Sequence, residues 1–294
     1  MTTLAWSWST TGYTFTRQPH EAVIELCGAA GLSGIEAVSE QFAGLGEAEL
    51  GRVGAAYRAA GLSLDSFHLP FAAEDDLASF YESVRRPAVE RQTRCLERAA
   101  ALGARVVIQH PSTSRYDVEA EGLDRYLGAL GASLEVLLPR AAALGLVLAL
   151  ENMLPGVDGP RLGAAPAHFV EFTARFGHPA LGYCLDTGHA LVAGGPDGAD
   201  AFPAAMGPRL VAFHLADNAG DRDSHLAPGR GLVNWRGVFS RMQTLGYAHP
   251  ACIETPPFAW GPHDRYSLDA WRSLVAETAA LAARALADAE PTGA

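Results

Sequence analysis

The sequence predicts a single-domain (β/α)8 TIM barrel, in which eight parallel strands form a closed sheet surrounded by helices. Its 294 residues suit one barrel of this kind, which usually takes roughly 250 residues. Strand-like and helix-like segments alternate along the chain without a break in composition. Several strands are almost continuous apolar runs, such as Arg105–His110 and Leu146–Glu151, which is typical of strands buried on both faces.

Eight strands are expected at regular spacing. The predicted strands are Leu4–Ser9, Gly34–Val38, Ser63–His68, Arg105–His110, Leu146–Glu151, Leu181–Asp186, Leu210–Leu215 and Ala251–Glu254. An open, doubly wound sheet is the main alternative, but no Gly-x-Gly-x-x-Gly pattern follows an early strand. We place the barrel in residues 1–288 and expect residues 289–294, which lack large apolar side chains, to form a disordered tail.

Proline, asparagine and glycine mark the predicted helix boundaries. Pro87 is typical of the first turn of a helix, and Asn234 is a suitable N-cap. Gly103 and Gly145 each follow a helical pattern at the position where a left-handed residue commonly ends the helix. The last helix is expected to begin near Ser267.

The charged residues exclude several chemistries. The sequence has no lysine, so Schiff-base aldolase chemistry, lysine-anchored pyridoxal phosphate and a P-loop lysine are all excluded. Any phosphate or carboxylate ligand would have to bind to Arg, to backbone N–H groups or to metal. The formal net charge is −11 with no basic block, so a nucleic-acid partner is not expected.

The cysteines and the apolar segments predict a cytoplasmic protein. Cys27, Cys95, Cys184 and Cys252 form no Cys-x-x-Cys pair and lie in apolar segments, so we expect buried free thiols. No secretory signal and no membrane-spanning segment are recognised. We therefore expect a cytoplasmic location and no membrane partner; the sequence allows a homo-oligomer.

Imidazole and carboxylate side chains lie at the ends of six successive predicted strands. These residues are His68, His110, Glu151, Asp186, His214 and Glu254, with His189, Asp223 and His225 close behind. Glu36 has a similar place on the second strand. The carboxyl ends of barrel strands form a ring around one mouth, so these residues should converge. His, Asp and Glu are suitable ligands for Zn2+, Mn2+ and Co2+, and the pattern predicts a divalent-metal site.

Six motifs occur in an order that resembles the sugar phosphate isomerase/epimerase superfamily, the xylose-isomerase-like TIM barrels that also include endonuclease IV. They are Leu150-Glu-Asn152, Leu185-Asp-Thr-Gly-His189, Phe213-His-Leu-Ala-Asp217, Asp223-Ser-His225, Pro228-Gly-Arg-Gly231 and Ile253-Glu254. The resemblance covers nearly the whole chain. It implies the same barrel fold and a divalent-metal cofactor, with Zn2+ or Mn2+ favoured and Mg2+ or Co2+ as alternatives.

The resemblance also implies roles for individual residues. The superfamily's shared metal ligands match Glu151, Asp186, His214 and Glu254. His189 matches a position that binds substrate in the epimerases and metal in the nuclease. The remaining nuclease-type ligand positions are filled by His68, His110, Asp223 and His225, so a three-zinc site is kept as an alternative. A lysine that is frequent two residues after the seventh-strand histidine is replaced by Ala216.

The resemblance favours a metal-dependent isomerase or epimerase acting on a sugar or a sugar phosphate. A divalent ion would stabilise the enediolate that forms when a proton next to a carbonyl is removed. Glu151 and Glu254 are expected to move that proton. Asn152, Arg230 and Trp260 are candidate substrate-binding residues, and the other aromatic candidates for a wall against the sugar are Trp6, Trp8, Phe67 and Phe258.

Three alternatives stay open at the level of the sequence. A dehydratase or lyase, acting on an inosose or a dehydroshikimate-like acid, begins with the same proton abstraction. An endonuclease IV-like enzyme would need three zinc ions and loop arginines that hold DNA, for which Arg115, Arg161 and Arg222 are the candidates. A barrel that kept the metal without turnover would only bind its ligand.

Overall fold

A computed structural model describes residues 6–256 and 264–287. The described strands form one closed barrel in which each strand pairs in parallel with the next and the first pairs with the last. The strands are β1 Trp8–Thr11, β2 Gly34–Val38, β3 Ser66–His68, β4 Val106–Gln109, β5 Val147–Glu151, β6 Leu181–Asp186, β7 Leu210–Leu215 and β8 Ala251–Ile253. The predicted (β/α)8 barrel is thereby confirmed. The predicted tail, residues 289–294, lies outside the described residues.

The helices surround the barrel. They are α1 His20–Ala30, α2 Glu47–Ala59, α3 Glu82–Leu102, α4 Val118–Glu121, α5 Leu123–Ala143, α6 Pro166–Arg175, α7 Thr187–Gly194, α8 Gly198–Met206, α9 Trp235–Thr244 and α10 Leu268–Ala287. Short 3-10 helices occupy Gly12–Phe15, Ser39–Phe42, Ala73–Asp75, Gly195–Asp197 and Gly207–Arg209. Within the described ranges, every helix is too short or too polar to cross a membrane.

Several predicted helix boundaries are confirmed by the backbone. Gly103 ends α3 with a φ of 93°, and Gly145 follows α5 with a φ of 71°, both in the left-handed region that favours glycine. The side chain of Asn234 accepts a hydrogen bond from the N–H of Gly237 and thereby caps α9. The last helix begins at Leu268.

Several predicted boundaries are wrong. The third strand begins at Ser66 and not at Ser63, and the fourth, fifth and eighth strands are each shorter than predicted by one or two residues. The first strand does not end at Ser9 but continues to Thr11, through threonines whose hydroxyls can be satisfied: buried Thr10 donates its hydroxyl to the carbonyl of Ile253. Leu4 and Ala5, at the predicted start of this strand, lie outside the described residues. Pro87 lies inside α3 and not in its first turn. The helix begins earlier because the preceding residues 82–86 include glutamate and arginines, which favour helix, and proline removes only one internal hydrogen bond.

The apolar residues form two layers. A large cluster fills the space between the strands and the helices, and a small cluster of Val106, Ile108, Ala149, Cys184 and Ala212 fills part of the barrel interior. All four cysteines are free and buried, as predicted. The filled interior means that the polar strand ends are displayed at the mouth of a packed barrel, not within an open pore.

Candidate metal centre

Four side chains from successive strands converge at the carboxyl end of the barrel. Glu151 ends β5, Asp186 ends β6, His214 is the next-to-last residue of β7, and Glu254 directly follows β8. Asp186 and His214 are direct partners in the register of β6 and β7. One ligand atom from each of the four residues lies within 4.8 Å of those of the others. The sequence-predicted group of four therefore meets in space.

The four side chains face one another at short distances. His214 Nδ1 lies 3.1 Å from Glu254 Oε2 and 3.4 Å from Glu151 Oε1. Among the described residues, His214 Nδ1, Glu151 Oε2 and Asp186 Oδ2 are buried and have no hydrogen-bond partner. Ligands about 2.0–2.2 Å from one ion stand about 3–3.5 Å apart. A buried nitrogen and several buried carboxylate oxygens at these separations fit a divalent cation.

Glu36 orients the imidazole of His214. The Glu36 carboxylate of β2 is 1% exposed, and its Oε1 lies 3.0 Å from His214 Nε2. When that nitrogen carries the proton and donates to Glu36, Nδ1 is left as the lone-pair atom facing the cluster. This is the usual arrangement behind a metal-binding histidine. Glu36 stood out in the sequence only by its position on a strand, and its partner could not be read from that position.

A second group lies on the other side of Glu151. His68 and His110 place their Nε2 atoms 3.5 Å and 3.4 Å from Glu151 Oε2, and the three residues form a second possible ligand set. His68 Nδ1 lies 2.8 Å from the carbonyl oxygen of Leu69, which fixes Nε2 toward Glu151. The two oxygens of Glu151 therefore face different sets of imidazoles, an arrangement that a carboxylate bridging two ions would also have.

His189, Asp223 and His225 form a third group. Asp223 Oδ2 lies 3.4 Å from His189 Nε2 and 2.9 Å from His225 Nε2. His225 Nδ1 lies 2.7 Å from the carbonyl oxygen of Glu254, and its backbone has a φ of 45°, which is uncommon outside glycine. All nine candidate ligands of the sequence thus surround one region of the barrel mouth.

The pKa shifts show how tightly the charges of this region are coupled. Burial alone would raise the pKa of Glu151, but the surrounding imidazoles, His214 foremost, hold that pKa well below its ordinary value. Burial opposes a proton on His214, yet Cys184 and the carboxylates of Glu36 and Glu254 raise its pKa well above the ordinary value. Without a cation, imidazolium groups therefore compensate the carboxylates, and a cation bound there would release protons from them.

Asp186 has the opposite shift. Burial, opposed by His189 but assisted by Glu254 and Glu151, raises the pKa of Asp186 to about 8. Its Oδ1 accepts a hydrogen bond of 2.6 Å from the N–H of His189 at the start of α7, whereas Oδ2 is unpartnered among the described residues. A carboxylate in this position needs a positive partner to stay ionised at neutral pH.

The predicted substrate-binding residues lie in different places. Asn152 is fully buried: its side-chain nitrogen donates to the carbonyl of Asp186, and its side-chain oxygen accepts from the N–H of that residue. Asn152 therefore fixes the end of β6. Arg230 donates to Glu277 of α10 at 2.8 Å and is not among the residues that line the cavity. Trp260 lies outside the described residues.

The predicted aromatic wall differs from the one that the structure shows. Trp6 and Trp8 pack on Phe239 of α9, with ring centroids 5.3 and 6.4 Å away. Phe67 is fully buried in the main apolar cluster, and Phe258 lies outside the described residues. Tyr13 and Phe71, which sequence reasoning missed, instead stand beside His68 and line the cavity. Neither residue belongs to a recognisable motif: Tyr13 lies in the short 3-10 helix after β1, and Phe71 lies in the loop after β3.

A cavity of about 260 Å3 opens above the candidate ligands. Its described lining consists of Tyr13, His68, Phe71, His110, Thr113, Arg115, Glu151, Met153, Leu154, Arg161, His189, Asp223, His225 and Glu254. The volume is near the lower end of the range for small-molecule pockets. The floor of this cavity is acidic and rich in imidazole, and its wall combines aromatic rings with two arginines.

Comparison with known sequences identifies the family. The profile of the xylose isomerase-like TIM barrel matches residues 24–276. The chain belongs to the xylose isomerase-like TIM barrel family. A probable endonuclease 4 of Chloroflexus aggregans is 30% identical over 220 residues, which cover 70% of this chain and 75% of that protein. A probable nuclease is thus among the relatives of this chain.

The other similar proteins support the fold but do not indicate an activity for this chain. An uncharacterized protein of Methanocaldococcus jannaschii is 32% identical over 192 residues, covering 64% of this chain and 62% of that protein. The chain spans about three fifths of the length of the first curated relatives that it matches. A solved D-tagatose 3-epimerase-like protein superposes with a TM-score of 0.78 at 20% identity, covering 97% of this chain and 100% of that one. At this identity, the likeness shows a shared fold.

Proposed function

We propose that this protein is a divalent-metal-dependent isomerase or epimerase that moves a proton next to the carbonyl group of a small carbohydrate. The observation that carries the proposal is the convergence of Glu151, Asp186, His214 and Glu254 on one point, with Glu151 and Glu254 also lining a small-molecule cavity. Zn2+ or Mn2+ suits a set of one imidazole and three carboxylates, and Mg2+ or Co2+ are alternatives. The net charge of −11 disfavours a nucleic-acid substrate.

When bound, the cation supplies Lewis-acid stabilisation of the negative charge that develops on the substrate oxygens. Glu151 and Glu254 come from β5 and from the end of β8, so their carboxylates approach the cavity from different parts of the ring. One carboxylate takes the proton from the carbon next to the carbonyl, and the enediolate then regains a proton at carbon, either from that same carboxyl group or from the other carboxylate after it has taken up a proton from water. Both groups have lowered pKa values, which favours the ionised form of the accepting base.

Other residues would orient the substrate. His189 Nδ1 is close to the carbonyl oxygen of Asn152, at 2.9 Å, so its Nε2 is presented toward the cavity side that holds Asp223. We assign His189 to a substrate hydroxyl. Tyr13 and Phe71 offer aromatic surface against an apolar face of the sugar, and they narrow the mouth of the cavity.

Proton exchange with solvent tests this reaction directly. The metal-loaded protein would be incubated in D2O with a panel of ketoses, ketose phosphates, keto sugar acids and inososes, and products and deuterium content would be followed by NMR. An isomerase or epimerase incorporates deuterium at the carbon next to the carbonyl, whereas a dehydratase releases water and gives an unsaturated product. If no compound in the panel exchanges or changes, the proposed reaction is wrong.

Phosphodiester hydrolysis is a second candidate, and one observation favours it. His68 and His110 face one oxygen of Glu151, and His189 and His225 face Asp223, so the chain offers ligands for more than one ion. A cluster of ions can stabilise both the attacking and the leaving oxygen. Cleavage of DNA containing an abasic site, lost on His68→Gln and His110→Gln, would support this candidate over the isomerase.

A further inference from the structure

Two arginines on the wall of the cavity have no part in the proton transfer described above. Arg161 and Arg115 both line the cavity that contains Glu151 and Glu254. Arg161 is only 8% exposed, which is unusual for arginine, whereas Arg115 is exposed near the mouth. Among residues 6–256 and 264–287, neither guanidinium has a carboxylate within ion-pair distance. A buried cation of this kind normally has a partner.

The guanidinium of Arg161 is held in place by its own loop. Arg161 Nε donates a hydrogen bond of 2.9 Å to the carbonyl of Leu154, which leaves the two terminal nitrogens of the fork for another acceptor. The N–H of Ala164 bonds to the carbonyl of Arg161, and the N–H of Met153 bonds to the carbonyl of Gly163. Backbone hydrogen bonds within the loop from β5 to α6 thus fix the position of Arg161 at the cavity.

The loop that carries Arg115 is hydrogen-bonded to the loop from β5 to α6. The N–H of Val157 donates to the carbonyl of Arg115 at 3.2 Å, and the N–H of Val118 donates to the carbonyl of Pro160 at 3.0 Å. Gly156 permits this close approach, because a Cβ there would lie 2.3 Å from the carbonyl oxygen of Arg115. Two loops are therefore joined so that both arginines face one cavity.

The electrostatics of this wall favour an anion. Burial and the neighbouring positive charge of Arg115 both lower the pKa of Arg161, while Glu151 and Asp223 raise it. A divalent cation on the floor of the cavity would neutralise those carboxylates, and the two guanidiniums would then lack compensation. An anionic group between the two guanidiniums would compensate their positive charge. The planar guanidinium of Arg is suited to phosphate and carboxylate oxygens.

We propose that Arg161 and Arg115 form an anion subsite, so that the substrate is a carbohydrate bearing a phosphate or a carboxylate group. The reacting carbonyl and hydroxyl groups lie on the floor of the cavity and the anionic group lies at the arginine wall. This assignment rests on the proposed function for the reacting end of the substrate. It concerns a different part of the cavity, however, and can fail independently.

Paired ligands test the subsite by binding. Calorimetric titration of the metal-loaded protein would compare D-fructose with D-fructose 6-phosphate and with D-fructuronate, which separates phosphate from carboxylate. We expect at least one anionic ligand to bind about tenfold or more tightly than D-fructose, as two charge-assisted hydrogen-bonding groups should provide. The ratio of the affinity for the anionic ligand to the affinity for D-fructose is called the anionic-to-neutral ratio. Arg161→Gln and Arg115→Gln should each reduce this ratio by about tenfold.

The variants are chosen so that loss of folding cannot be mistaken for loss of the subsite. Arg161→Gln also removes the bond to Leu154, but Arg115 is exposed and its replacement by glutamine should leave the fold intact. Arg236→Gln is the matched control, since Arg236 is exposed on α9 and does not line the cavity. The anionic-to-neutral ratio should be unchanged in this control.

The outcomes separate the subsite from the reaction. Equal binding of all three ligands, or a ratio that is unchanged in both Arg161→Gln and Arg115→Gln, would overturn the anion subsite even if a neutral ketose is isomerised. The expected ratios without deuterium exchange of any carbohydrate would instead overturn the proposed function and leave the subsite standing. Tighter binding of a short abasic DNA duplex than of D-fructose 6-phosphate, lost in the same variants, would overturn the small-carbohydrate assignment.

Discussion

The carboxylate of Glu36 and the imidazole of His214 lie 3.0 Å apart although 178 residues separate them in the sequence. The contact joins β2 to β7 beneath the candidate metal centre, in a part of the barrel where both side chains are almost completely buried. A buried carboxylate behind a histidine fixes which ring nitrogen carries the proton and how the ring is turned. We therefore regard Glu36 as a positioning residue for the candidate ligand His214.

Glu36→Gln should weaken metal binding by about 10- to 100-fold, because the amide orients the ring less strongly and does not increase its basicity. The measurement is a competition titration of the metal-free protein against a chelator. Glu97→Gln, on the exposed pair with Arg140, serves as the control and should retain the affinity of the unaltered protein. Equal affinities in both variants would remove Glu36 from the site.

Glu151→Gln and Glu254→Gln should each lower turnover by at least about a hundredfold, because a neutral amide cannot take a proton. Solvent deuterium exchange into the substrate is the appropriate readout, and circular dichroism checks that the fold is retained. We expect Glu254→Gln to keep more of its metal than Glu151→Gln, since Glu151 contacts four imidazoles. Near-normal exchange in either variant would contradict the acid/base assignment.

His68→Gln and His110→Gln test how many ions the site needs. If one ion at Glu151, Asp186, His214 and Glu254 is sufficient, both variants should still hold about one ion per chain. Elemental analysis after dialysis against metal-free buffer gives the ratio. If the unaltered protein holds about three ions per chain and the variants hold fewer, the hydrolytic candidate is favoured instead.

His168 should make the stability of the protein depend on pH. It is fully buried in α6, and its Nδ1 accepts a hydrogen bond of 3.0 Å from the N–H of Gly163, in the loop that carries Arg161. Burial lowers the pKa of His168 from 6.5 to about 4 in the folded protein. The unfolded chain therefore binds a proton in this range that the folded chain does not, and stability decreases as the pH falls from 6.5 to 4.

The stabilisation that this histidine contributes above pH 6.5, and that is lost by pH 4, is about 3 kcal/mol. Urea unfolding at several pH values would measure it as the difference between the unaltered protein and His168→Asn. Asparagine does not titrate and still offers an oxygen to Gly163, so the variant should lose less stability on acidification. If the free energy of unfolding changes equally with pH in both proteins, His168 does not cause the loss of stability at low pH.

The sequence predicted which candidate ligands lie close together, but it did not predict the residues that surround them. Each βα unit returns the chain to the same rim, so a His, Asp or Glu at a strand end predicts convergence without knowledge of any loop. The role of Glu36 could not be predicted, because which side chain lies beneath His214 depends on the barrel register and its interior packing. Arg230 shows the same limit, since its partner Glu277 follows 47 residues later on α10.

The walls of the cavity depend on the paths of the loops. Tyr13, Phe71 and Arg161 lie on three different connections between strands and helices, and nothing in their local sequence distinguishes them from solvated residues. Trp6 and Trp8 are among the residues that the sequence suggests for a sugar-facing wall, but their large apolar surface packs against Phe239. Local patterns predict burial, whereas the side of the barrel that receives each ring is set by tertiary packing.

The central claim is that Glu151, Asp186, His214 and Glu254 bind a divalent cation. Its most direct test is titration of the metal-free protein with Mn2+ or Zn2+, followed by the thermal unfolding midpoint and by elemental analysis. We predict a saturable rise in the midpoint with about one ion bound at these four residues, and its loss in Asp186→Asn. A midpoint that does not change with either metal, together with no bound divalent ion, would contradict the claim.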